Sequence, residues 1–212
     1  MSILDRYSQI YFTCFTDEMK DVRTAVRQQL DSWSLRGVES EAELDLARVY
    51  TECPRPGGAH PYKSIFFCPK SRPGSTVMFP NYEDGWSSLA RGVSKLLPGR
   101  AFLFGLGSVR TEWPLYRFEM VTRGEALRHV SVIKDVDKWK FWQTGKPLPE
   151  EDAAVYRKRR IRDRLTREYL VSLAEGLDFP IGDDRFWESD SKAVYFEQHR
   201  VAQRPSPSTS SS

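Results

Sequence analysis

The run Ser8 to Phe15 (SQIYFTCF) constrains this chain more than any other. It is rich in β-branched and aromatic residues and reads as a strand. Ile10, Phe12 and Cys14 fall on one face, and Tyr11, Thr13 and Phe15 on the other. Both faces are apolar, so the strand is expected at the centre of a sheet. Thr16 or Asp17 then offers a helix cap. Met19, Val22, Val26, Leu30 and Trp33 come next at three- and four-residue spacing, the stripe of a core-facing helix.

Downstream, strand signals come in runs. Glu41 to Leu46 suggests a helical lead-in, and Ala47 to Glu52, Tyr62 to Cys68 and Thr76 to Phe79 read as strands. Prolines and glycines between residues 54 and 61, and again at Pro73-Gly74, separate them as a meander. A second helix starts near Asn81 to Gly85, carries Trp86, Leu89, Ala90, Val93 and Leu97 on one face, and stops at Pro98-Gly99. Ala101 to Leu106 is a strand whose inner Gly105 marks a bulge or a close approach.

Leu115 to Val121 and Leu127 to Ile133 flank Thr122-Arg123-Gly124-Glu125, the strongest hairpin signal in the chain. Tyr116, Phe118 and Met120 alternate with Arg117 and Glu119, which predicts one buried and one wet face. The aromatic segment Lys138 to Gln143 comes next. Trp139 and Phe141 share one face, suited to anchoring the downstream helix, and Trp142 projects to the other. Pro149 and the acids Glu150, Glu151 and Asp152 then suit a helix start. The pattern predicts one long helix over 150–175 with Ala154, Ile161, Leu165, Tyr169 and Leu173 facing the core. Ala193 to Glu197 reads as a last strand, and 201–212 as a disordered tail.

Strands in runs, rather than strict alternation, predict an α+β fold. The expected architecture is a largely antiparallel sheet of about 8–9 strands with three main helices packed mainly on one face. The length of 212 residues suffices for one sizeable core, so 1–200 is read as a single domain. A loose similarity between 1–70 and 71–200 is noted without any residue-level repeat.

No pattern for catalysis, cofactor or metal stands out. Gly105-Leu106-Gly107 does not extend to a phosphate loop, since position 110 is Arg. His60, His129 and His199 lack metal-ligand spacing, and Cys53, His60 and Cys68 do not match a zinc motif. There is no nucleophile-elbow sequence. The carboxylate pairs sit where turns and helix starts favour acids. Three cysteines without CxxC read as free thiols in a reducing compartment. No signal-peptide core and no long apolar run occurs, so a cytosolic protein that does not enter a membrane is expected.

Charge points to binding. The whole chain is nearly balanced, with 32 basic and 29 acidic residues and a net +3. Yet seven cations fall between Arg157 and Arg167, opposed only by Asp163. Trp142, Arg157, Arg159, Arg160, Arg164 and Arg167 are the candidate binding residues, since Trp and Arg mixtures are typical of interface anchors. The balanced total favours a protein partner with an acidic face over nucleic acid. The reading is a non-catalytic cytosolic binding module, most concretely a bacterial-type immunity protein that neutralises a toxin by occlusion. The alternatives are a phosphate-backbone binder using the 150–175 segment, and an enzyme without a familiar motif. A deep pocket around His129, or around Cys14 and Cys68, would favour the enzyme.

Overall fold

A computed structural model describes residues 3–35, 37–49, 62–81, 86–108 and 111–198. Its nine strands are β1 (Ile10–Phe15), β2 (Gly37–Ala42), β3 (Lys63–Phe67), β4 (Thr76–Pro80), β5 (Arg100–Leu106), β6 (Leu115–Thr122), β7 (Glu125–Asp135), β8 (Lys138–Thr144) and β9 (Ala193–Gln198). They form one sheet in the order β2-β9-β3-β4-β1-β5-β6-β7-β8, every pairing antiparallel. The helices are α1 (Ile3–Arg6), α2 (Met19–Ser32), α3 (Ser87–Lys95) and α4 (Arg167–Gly176). The expected antiparallel α+β architecture is therefore what forms.

β1 is the fifth strand of nine and is buried along its whole length. Its two apolar faces explain the two cores. Phe15 joins Val22, Val26, Leu89 and Val93 under α2 and α3. Ile10, Phe12 and Cys14 face the opposite core, which is covered by the chain from Leu148 to Trp187, including α4. Two of the three main helices thus share one face, and the third belongs to a wrap over the other. β9 inserts between β2 and β3, so early and late segments of the chain share one hydrogen-bonded sheet.

Local expectations were met where chemistry was local. Arg123 (φ 52°) and Gly124 (φ 82°) form the two-residue turn between β6 and β7. Two positive φ values in succession are the mirror-image turn that matches strand twist. Gly105 permits a close approach, because a Cβ there would lie 2.8 Å from the Tyr11 ring.

Two expectations gave way to tertiary contacts. Residues 37–42 form edge strand β2, and 46–48 a 3-10 turn in which Asp45 accepts from the Ala47 N–H. β2 forms because β9 supplies its ladder and Arg23 and Arg27 pair with Glu39 across the edge. Strand residues 50–52 lie outside the described residues.

The long helix over 150–175 is also absent. Residues 155–157 and 161–163 make 3-10 turns, and the α-helix begins only after Thr166, whose Oγ accepts from the Tyr169 N–H at 3.3 Å. Lys158 and Arg162, and Arg160 and Arg164, would stack like charges four residues apart on a helix. Tertiary burial then decides the path: Tyr156, off the predicted stripe, is buried, whereas Ala154 is exposed. No helix among the described residues is long and apolar enough to cross a membrane. The 201–212 tail, Cys53, His60 and His199 lie outside the described residues.

Candidate functional site

Edge strand β8 and the connector after it carry the residues singled out by charge. Trp139 and Phe141 point to the wrapped core, where Phe141 packs against Tyr156 at 6.0 Å. Trp142 points the other way and is 48% exposed. Arg157, at the end of the first 3-10 turn, and Lys158, Arg159 and Arg160, which link it to the second, are exposed, and none forms an ion pair among the described residues. Arg164 lies with them but holds the loop: its guanidinium sits 5.2 Å over the Phe141 ring and its Nε donates to the Lys158 carbonyl at 2.8 Å. Arg167 does not join the group. Its guanidinium turns inward to the carbonyls of Leu4, Tyr7 and Ser8 and the end of β5. It therefore ties α4 to the start of the chain.

The connector is fixed by a buried ion pair that sequence reading missed. A bulge between Met120 and Val121 leaves Leu127 unpaired and turns Arg128 to the wrapped face. There Arg128 is 1% exposed and forks onto Glu151 at 2.8–3.1 Å. It also donates to the carbonyls of Thr144 and Gly145 and to Gln143. Glu151 accepts as well from the Leu148 N–H at 2.8 Å and the Tyr156 hydroxyl at 2.5 Å. Burial and this carboxylate push the Tyr156 phenol well above its ordinary range. Gly145 (φ 76°) completes the joint, since a Cβ there would sit 1.9 Å from the Leu127 carbonyl.

On the opposite face of the hairpin, the side expected to be wet holds a fully buried carboxylate. Glu119 accepts from Arg91 at 2.6 Å, from Arg117 at 2.6 Å and from His129 Nδ1 at 3.2 Å. His129 Nε2 lies 3.0 Å from Ser131 Oγ. Burial alone would raise the Glu119 carboxyl, but the His129 hydrogen bond and the arginines outweigh it and hold it at about 2. This folded value is below the unfolded one near 4.5. Its stabilising contribution is therefore present above that unfolded value and lost as pH falls toward 2. Thermal melts from pH 6 to about 2 should show a steeper acid loss for the native protein than for Glu119→Gln. Parallel curves for the two proteins would remove Glu119 from the acid response.

A cleft of about 580 Å³ opens at the other end of the sheet. Its walls include Leu30, Phe196 and the stacked pair Tyr62 and Trp86, 4.6 Å apart, with the Arg27–Glu39 ion pair in its lining. The size suits a small ligand or an anchoring side chain. His129, Cys14 and Cys68 are not in its lining. Cys14 is buried in the sheet, and burial pushes its thiol up. Among the described residues no group of three or more His, Cys, Asp or Glu is placed to hold a metal ion. No protein-family model, no curated protein and no solved structure matches this chain.

Proposed function

We propose that the protein acts as a non-catalytic binding module that captures a partner protein by that partner's acidic face, in its most concrete form an immunity-type protein that occludes a toxin. One observation carries this reading: four consecutive exposed cations, Arg157 to Arg160, without ion-pair partners among the described residues and held on turns packed against edge strand β8. Such a cluster stays hydrated in the free protein and finds its counter-charges on association, which speeds the encounter. Trp142 on the same strand supplies an aromatic anchor. Glu150 and Asp152 precede the cations along the connector, and Asp163 alone interrupts them. The nearly balanced charge of the whole chain, net +3, suits an acidic protein face better than a run of phosphates.

The test is capture from the native host with the unaltered protein and with R157E/R159E/R160E. One stoichiometric protein should be retained by the first and weakened about 30-fold or more in the second. For the toxin-neutralising form, co-expression should rescue cells from that partner, and the triple variant should not. Co-purified nucleic acid, with retention on heparin that collapses steeply in salt, would replace this reading with the phosphate-backbone one. Equal capture by both proteins would remove the cationic loop from the interface.

A further inference from the structure

The chain Glu119–His129–Ser131 has the connectivity of a carboxylate–imidazole–hydroxyl relay. Glu119 lies on β6 and the other two on β7, all on the face away from the wrapped core. The buried carboxylate is ionised and clamped by Arg91 and Arg117, so it cannot turn away from the imidazole. An ionised acceptor at Nδ1, 3.2 Å away, selects the tautomer with the proton on that nitrogen. Nε2 is then left to accept from the Ser131 hydroxyl 3.0 Å away, the arrangement a general base needs. Strand register puts Arg117 and Trp142 on either side of Ser131, as its two cross-strand partners. Arg117 is the cross-strand neighbour of Ser131 with its guanidinium held on Glu119 at 2.6 Å, and Trp142 exposes an indole shelf on the other flank.

We propose that Ser131 is an acylatable nucleophile and that this face hydrolyses small carboxylic esters. The Ser131 oxygen attacks the ester carbonyl carbon while its proton passes to His129 Nε2. The carbonyl electron pair moves to oxygen, where the Arg117 charge stabilises it. Collapse breaks the bond to the leaving alkoxide, which takes the proton from Nε2. Water then attacks the acyl-serine by the same route and releases the acid, so ester and water give acid and alcohol. Substrate rests against Trp142, which favours a short acyl group or an aryl leaving group. Ser131 itself is only 7% exposed on β7, so substrate approaches across the partly exposed His129 and Trp142 rings that flank it.

The test is labelling with a fluorophosphonate, then peptide mapping, alongside turnover of p-nitrophenyl acetate. Ser131 should carry the label in the folded protein. Ser131→Ala should abolish both signals, and His129→Gln should slow them by about 100-fold or more. Circular dichroism and melting temperature establish that both variants are folded. An unlabelled Ser131 in the folded protein would overturn the proposal. So would labelling that is as fast in His129→Gln or in heat-unfolded protein. The triple variant R157E/R159E/R160E should keep its label, so this proposal and the protein-binding reading fail separately.

Discussion

Glu151→Ala should lower the free energy of unfolding by about 3–5 kcal/mol, measured by urea denaturation monitored by circular dichroism. The cost arises from the groups left behind. Arg128 remains 1% exposed, and the acceptors it keeps are two carbonyls and an amide, none of them a counter-charge. The Leu148 N–H and the Tyr156 hydroxyl lose their acceptor in the same substitution. Such a loss is a large part of the roughly 5–15 kcal/mol that holds a domain together. Replacing both charges, as in R128M/E151L, should recover the part due to the stranded Arg128 charge, while the Leu148 N–H and the Tyr156 hydroxyl still lack their acceptor. A loss below about 1 kcal/mol in the single variant would mean that water reaches the pair.

Trp187→Ala should cost a similar amount, about 3–5 kcal/mol, through the cavity it opens. Trp187 is 5% exposed and meets Phe12 and Phe186 edge-on, both at 5.1 Å, with Phe79 at 6.2 Å. Its indole N–H donates to the Ile181 carbonyl at 2.8 Å. The side chain thus joins the end of the wrap to the central strand. Trp187→Phe should retain most of the packing and lose mainly the hydrogen bond, about 1 kcal/mol. Thermal melts of the two variants separate these contributions. If both lose the same amount, the hydrogen bond rather than the ring volume dominates.

Both effects concern the segment after Gly145, where sequence periodicity was least informative. Its apolar residues fit a helical stripe, yet the chain tracks the sheet surface in turns. Periodicity records which residues seek burial, but several backbone paths satisfy the same residues when a broad sheet face is the receptor. The crowding of Arg157 to Arg164 against itself on a helix, and the pull of Arg128 on Glu151, select the path. Neither competitor lies in the local pattern.

The hairpin shows the same division at the scale of one residue. Its turn was legible, because Arg123-Gly124 between alternating runs leaves few other conformations. Counting outward from that turn would place Glu119 opposite Arg128. The bulge at Leu127 shifts the register by one, setting Glu119 opposite His129 and sending Arg128 through to the other face. The Glu119–His129–Ser131 chain and the Arg128–Glu151 pair both depend on that shift. Residue counting could not reach either of them.

Sequence by itself determined the central strand, the hairpin, the antiparallel α+β class and the faces of Trp139, Phe141 and Trp142. Each rests on alternation or turn chemistry within a short local stretch of chain. Tertiary structure alone decided the bulge register, the path of the cationic connector, the inward turn of Arg167 and the cleft between α2, β9 and Trp86. Those depend on which distant group reaches a buried charge or an unpaired backbone first, and that competition is settled only when the sheet and its two covers close together.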